Sequence, residues 1–147
     1  MKKVICSLFA LLALSTAVAQ EVNIKILGTS DVHGRIVPWS YGADVADKSG
    51  SYAQIATYVN DVRKQHKNVV LVDVGDAIQD NQIDVFAKTK KYYKDHPVPK
   101  VLNAMKYDVF VLGNHEFNFG MKALDEILKD IKAKLMDFHI NVGKSLD

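Results

Sequence analysis

Val109-Phe110-Val111-Leu112-Gly113-Asn114-His115-Glu116 sets four β-forming apolar residues directly before a polar tetrad. The same design occurs twice upstream. Val69-Val70-Leu71-Val72 leads through Asp73-Val74 to Gly75-Asp76. Val22-Asn23-Ile24-Lys25-Ile26-Leu27 leads through Gly28-Thr29-Ser30 to Asp31-Val32-His33-Gly34. That earliest run alternates apolar and polar residues, the pattern of a half-buried strand. The two later runs are uniformly apolar and mostly β-branched, which predicts central strands buried on both faces. Helical patterns lie between them. Ser51 and Gln54 have capping-box spacing, and Tyr52, Ile55, Ala56, Val59 and Val62 form one apolar stripe. Residues 82–106 read as helix in two pieces, broken at His96-Pro97-Val98-Pro99. A last helix is expected from Met121 to Leu135, with Leu124, Ile127, Leu128, Ile131 and Leu135 facing inward. Residues 34–50, rich in Gly, Pro, Ser and Asp, read as an irregular loop. Strands alternating with helices predict an α/β fold of parallel strands, crossovers and helices covering the sheet. The three polar motifs then all fall at carboxyl ends of strands, the edge where open α/β sheets bind ligands.

The N-terminus reads as a targeting segment. Lys2 and Lys3 precede an apolar stretch from Val4 to Val18, and Ala17-Val18-Ala19 supplies the small-x-small pattern of a signal-peptide cleavage site. The stretch is shorter than the ~20 apolar residues of a membrane-spanning helix. Residues 1–19 are therefore expected to be removed on export to the periplasm, cell surface or medium, leaving a chain with no stable membrane insertion. Without Lys2 and Lys3 the basic and acidic side chains balance at 17 each, which argues against a nucleic-acid polymer as partner. The only cysteine, Cys6, lies inside the signal segment, so the exported part, residues 20–147, has neither disulfides nor thiolate metal ligands. Any metal must be held by oxygen and nitrogen donors. Residues 20–147 suffice for one small domain.

Asp31 and His33 are two residues apart, so in a turning segment both can reach one ion. Asp76 leaves a different strand end, where one carboxylate can bridge two ions. Asn114 adds an amide oxygen and His115 an imidazole. Such donors suit Mn, Fe, Zn or Mg. Two ions ~3.5–4 Å apart can clamp a phosphoryl group, activate a water and stabilise the leaving oxygen. A neighbouring histidine outside the ligand set can protonate the leaving group. Each motif alone has a plainer reading: Asp-x-His-Gly arises by chance, Gly-Asp is a common turn, and Asn-His-Glu can start a helix. Their order, each after an apolar strand, is the specific signal.

Ser30-Asp31-Val32-His33-Gly34-Arg35, Val74-Gly75-Asp76 and Leu112-Gly113-Asn114-His115-Glu116 together resemble the first three blocks of the calcineurin-like metallophosphoesterases. The nearest branch is the exported 5′-nucleotidase and 2′,3′-cyclic-nucleotide 2′-phosphodiesterase group. Ser51-Tyr52-Ala53-Gln54, Asp80-Asn81 and Tyr107-Asp108 add to the likeness, which runs from about Val22 to Leu135. The resemblance implies an α/β fold: part of a metallophosphoesterase β-sandwich core flanked by helices, ending after about half its strands. It implies a nucleotide substrate and two divalent metal ions in the intact enzyme. By the same resemblance Asp31 and His33 hold the first ion, Asp76 bridges both and Asn114 holds the second. His115 is the catalytic histidine facing the phosphate. Asn118 stands where nucleotidases carry an Asp paired with that histidine, and it is assigned to substrate binding. Asn there is similar to the cyclic-nucleotide phosphodiesterase side of the group.

The family also supplies three later histidines, in Gly-His and Gly-His-x-His blocks, and neither block occurs before Asp147. The expectation is the N-terminal portion of a phosphoesterase domain, binding metal weakly and turning over slowly or not at all. Two alternatives stand beside it: a non-catalytic exported fragment holding one metal or none, and a phosphoesterase for a non-nucleotide substrate. Asn141-Val142 is read as the remnant of a further strand. His66, His96 and His139 are read as surface or turn residues, and Lys88 to Lys94 as a solvated helix face rather than a nucleic-acid patch. Trp39 and Tyr41 lie in the loop after the first motif, where they could border the site, and the expectation is local packing.

Overall fold

The computed structural model describes residues 21–136. Four parallel strands form the main sheet: β1 (Lys25–Thr29), β4 (Val69–Asp73), β5 (Val109–Val111) and β6 (Lys134–Met136), in that spatial order. The loop after β1 carries a small antiparallel pair, β2 (Trp39–Ser40) and β3 (Val45–Ala46), in place of the wholly irregular segment expected there. The helices are α1 (Tyr52–Gln65), α2 (Asp84–Lys88), α3 (Pro97–Met105) and α4 (Met121–Leu128), with short 3-10 turns at Lys90–Asp95 and His115–Phe117. None of the helices among the described residues is long and apolar enough to cross a membrane.

Strand order follows chain order, and this decides where the helices lie. Crossovers between parallel strands are right-handed in nearly all proteins. Three such crossovers stepping the same way put every connecting helix on one face. Leu71, Asp73 and Phe110 point to that face and are fully buried, against a cluster that includes Tyr52, Val59, Leu102, Leu124 and Ile127. Ile26, Val70, Val72, Val109 and Met136 alternate onto the other face. There Ile26 is 72% exposed and Met136 50%, and the three valines are half-buried. Of that face only Val111 is buried. The expectation that the central strands are buried on both faces therefore holds for one face among the described residues.

Local chemistry sets the helix limits. Ser51 is the N-cap of α1, its Oγ accepting from the Gln54 N–H, as the Ser-x-x-Gln spacing predicts. At the other end Arg63 donates to the carbonyls of Met105 and Lys106, satisfying the C-terminus of α3 and tying the two helices together. The stretch 82–106 breaks at His96 as expected, but into three pieces, with Pro97 opening α3 rather than lying in the gap. His96 is not a surface residue. It is buried and caps α3, its Nδ1 accepting from the Val98 N–H and its Nε2 donating to the Ile78 carbonyl at 3.3 Å. Burial lowers its pKa to about 4. The last helix ends at Leu128, not Leu135. Lys134 N–H bonds the Asp108 carbonyl, and pairing with β5 converts 134–136 into an edge strand despite the continuing apolar spacing. His139 and Asn141-Val142 lie outside the described residues.

Candidate metal centre

The three motifs converge because their backbones are hydrogen-bonded to one another. Beyond β1, the Asp31 N–H donates to the Gly75 carbonyl at 3.1 Å, and the His33 N–H to the Asp76 carbonyl at 2.9 Å. Beyond β5, the His115 N–H donates to Asp76 Oδ1 at 2.8 Å. The loops after β4 and β5 touch backbone to backbone: a Cβ on Gly75 would lie 2.6 Å from Gly113 Cα, and one on Gly113 would lie 2.6 Å from Asp76 N. Both motif glycines are required by this approach, and Gly75 also has φ 99°.

Asp31, His33 and Asp76 all adopt left-handed backbone, with φ of 53°, 50° and 58°. Such conformations cost roughly 1–3 kcal/mol each and persist where the surroundings over-determine them. Glu116 is one source of that determination. Its carboxylate is fully buried and accepts from Asp76 N and Gly113 N through Oε2, at 2.8 and 2.7 Å. Its Oε1 accepts from Ala77 N at 2.7 Å and Ile78 N at 3.4 Å. One side chain thus fastens the second and third strand ends. Asp73, also buried, secures the base of the same loop by accepting from Gly75 N at 3.0 Å and from Thr29 Oγ1 at 2.7 Å. Burial raises its pKa to about 6.

The result is a compact ligand set. One donor atom each from Asp31, His33 and Asp76 lies within 4.8 Å of the other two. His33 Nδ1 lies 3.1 Å from the Gln79 carbonyl, which can only accept its proton, so Nε2 is left bare 4.0 Å from Asp31 Oδ1. A backbone acceptor behind the imidazole is the usual way a metal-binding histidine is oriented. Two carboxylates and one such imidazole fit a divalent first-row ion. The His115 ring stands perpendicular to that of His33, centroids 5.0 Å apart. Its Nδ1 meets Gln79 Oε1 at 3.3 Å and Asn118 Nδ2 at 3.4 Å, while Asn118 Nδ2 donates to Gln79 Oε1 at 2.7 Å. Gln79 can therefore accept a proton from Nδ1, and Asn118 can donate to Nδ1 when it is bare. Asn114 is exposed at the head of the 3-10 turn, beside His115.

Gln79 has no place in the sequence reading. Its backbone holds one histidine and its side chain the other, and its only sequence signal is a polar residue three positions after a strand-end Asp. Glu116 was legible as part of a motif but not as the clamp between loops. Trp39 and Tyr41 do not pack locally as expected. They are 40% and 64% exposed and line a cavity that also includes Gly34 of the first motif. His66 is exposed at the end of α1, and Lys88, Lys90, Lys91 and Lys94 are exposed, as read.

Comparison with known proteins agrees with this geometry. The chain is 38% identical over 130 residues to the trifunctional nucleotide phosphoesterase protein YfkN of Bacillus subtilis (strain 168), covering 83% of this chain and 9% of that protein. It is 34% identical over 139 residues to a 2′,3′-cyclic-nucleotide 2′-phosphodiesterase/3′-nucleotidase of Haemophilus influenzae, covering 91% of this chain and 21% of that one. A snake venom 5′-nucleotidase of Naja atra is 35% identical, with 80% and 22% covered. The chain thus spans about a tenth to a fifth of the length of these relatives. The crystal structure of the calcineurin-like phosphoesterase YfkN superposes with a TM-score of 0.72 at 34% identity, covering 77% of this chain and 36% of that one. The fold is accordingly that of a metallophosphoesterase, present in part. Residues 24–143 match the family described as calcineurin-like phosphoesterase, a span that contains all three strand-end motifs, and the chain belongs to that family.

Proposed function

We propose that this chain is the N-terminal part of an exported metal-dependent phosphoester hydrolase acting on nucleotides, of the 2′,3′-cyclic-nucleotide 2′-phosphodiesterase or nucleotidase type. The observation that carries the reading is the cluster of Asp31, His33 and Asp76 donors within 4.8 Å, on strained turns locked together at the carboxyl edge of the sheet. Asp31 and His33 would hold one divalent ion, Asp76 would be shared with a second, and Asn114 would complete what this chain offers that second site. When bound, the ions supply Lewis-acid activation of water and charge stabilisation at phosphorus. The chain's own work is to fix the ligands and orient His115. With Nδ1 facing Gln79 and Asn118, His115 leaves Nε2 to steady the phosphate or hand a proton to the leaving oxygen. Asn118 sets that orientation together with Gln79 and borders the substrate.

Residues 1–19 would serve as the export signal and residues 20–147 as the phosphoesterase portion. By itself this portion offers three close charged or imidazole donors, enough for one firm site, so slow turnover or none is expected. Offering the purified chain 2′,3′-cyclic AMP, AMP and an aryl phosphate with Mn²⁺ tests the reading. Slow release from the nucleotides, abolished by a chelator, supports it. A rate untouched by chelator contradicts it. Preference for the aryl phosphate favours a non-nucleotide substrate, and a lack of both metal binding and turnover favours the inert fragment.

A further inference from the structure

We infer that Gln79 is the positioning residue of this site and holds both imidazoles in the tautomer that carries its proton on Nδ1. Its main-chain carbonyl does so for His33 and its side-chain carbonyl for His115. This rests on the phosphoesterase reading above, which sets His33 on a metal ion and His115 against the phosphate.

Gln79 is itself placed by its neighbours. Asp76, Ala77 and Ile78 each donate their N–H to the buried Glu116 carboxylate. Ala77 and Ile78 are fully buried, and the Ile78 carbonyl accepts from His96 Nε2 at 3.3 Å. Directly after Gln79, Asp80 has φ 103° and donates its N–H to Asp84 Oδ1 at 2.8 Å. Residue 79 is half-buried between two tied stretches.

A carbonyl oxygen only accepts, so a ring nitrogen that bonds to one carries the hydrogen. The Gln79 main-chain oxygen lies 3.1 Å from His33 Nδ1, and its Oε1 lies 3.3 Å from His115 Nδ1. Oε1 has two lone pairs, enough for His115 and for the Asn118 amide at 2.7 Å. The opposite tautomer of His115 would set a bare Nδ1 against Oε1, acceptor facing acceptor. Only the Asn118 amide, at 3.4 Å and already committed to Oε1, would offset that. Asn118 therefore acts as a brace on the Gln79 amide. Both neutral rings then keep Nε2 as a bare lone pair, for a metal ion at His33 and for a substrate proton at His115. The rings are perpendicular with centroids 5.0 Å apart, so one residue orders two neighbouring electron-pair donors.

The two roles use different atoms, and substitution separates them, since Gln79→Ala keeps the main-chain carbonyl. The purified, metal-free chain with isotope-labelled histidine is read by heteronuclear NMR at about pH 9, where an ordinary imidazole is neutral. Bare and protonated ring nitrogens resonate far apart, and spectra of His33→Ala and His115→Asn assign the two rings. In the wild type both rings are expected as the Nδ1–H form. In Gln79→Ala, His115 should lose that preference while His33 keeps it, and Zn²⁺ affinity by calorimetry should stay within about threefold because the partner of His33 remains. Gln79→Glu, which keeps an acceptor of the same reach, should restore the His115 tautomer. Asn118→Ala, which removes only the brace, should shift His115 less than Gln79→Ala does. Either ring with a bare Nδ1 in the wild type would overturn the inference. So would Gln79→Ala that leaves His115 unchanged or releases both rings, Gln79→Glu that fails to restore it, or a larger shift from Asn118→Ala. Zn²⁺ binding with a bare Nδ1 on His115 removes the inference and leaves the phosphoesterase reading. The expected tautomers without Zn²⁺ binding remove that reading and keep the role of Gln79.

Discussion

On one face of the four-stranded sheet Leu71, Asp73 and Phe110 are fully buried beneath the helices, while on the other Ile26 and Met136 stand half or more in solvent. The side chains on the two faces are similarly apolar. What separates them is topology: strands laid down in chain order, joined by right-handed crossovers, place all the helices on one side. The strand-end motifs depend on the covered face, since Asp73 holds the Gly75 N–H from it. The exposure of Ile26 and Met136 is a property of the described residues, 21–136.

The largest effect is expected where the loops of β4 and β5 meet. Gly75→Ala puts a Cβ into the Gly113 backbone at a residue with φ 99°, and should cost more than about 4 kcal/mol or prevent folding. Urea denaturation followed by circular dichroism reads this directly. Leu71→Ala, on the covered face, should cost about 2–5 kcal/mol through the cavity it leaves. A loss under 1 kcal/mol would mean that this face is not the core.

His96 supplies a prediction in pH. Its pKa is lowered from 6.5 to about 4 in the folded chain. The unfolded chain therefore binds the extra proton first as pH falls. The associated stability is complete above about pH 6.5 and is lost progressively down to about pH 4, by about 3 kcal/mol in all. Protonation would also remove the Nδ1 lone pair that caps α3. His96→Asn should flatten this part of the stability profile, and an unchanged profile would contradict the assignment. The smallest effect belongs to the bare face. Ile26→Thr should change stability by no more than about 0.5 kcal/mol while reducing the binding of a hydrophobic dye. A cost matching that of Leu71→Ala would erase the contrast between the faces.

Much of this was legible in the sequence. The strands before each motif, the capped α1 and the break at His96 follow from periodicity and capping chemistry. What escaped was set by partners distant in the chain. Uniform apolarity in Val69–Val72 shows that both faces avoid water, not which layer covers each. The apolar spacing of Ile131 and Leu135 continues a helical stripe, yet pairing with β5 draws Lys134–Met136 into the sheet. Asp31, His33 and Asp76 could be named from their motifs, but their left-handed backbone and the Gly75–Gly113 contact exist only once two loops meet. Gln79 holds both histidines, and Glu116 the loop after β4, through hydrogen bonds spanning 36 or more positions, which no local pattern records. The exposure of Trp39 and Tyr41 goes with a two-residue strand pair too short to signal itself in the sequence.

The central claim is that Asp31, His33 and Asp76 form a divalent-metal site, and the direct measurement is Mn²⁺ and Zn²⁺ titration of the purified chain by calorimetry, beside Asp76→Asn and His33→Ala. The account predicts one firm ion per chain, a second bound weakly if at all, and at least about tenfold weaker binding in each variant. Wild-type chain that binds neither ion, or variants that bind as tightly as the wild type, would contradict it.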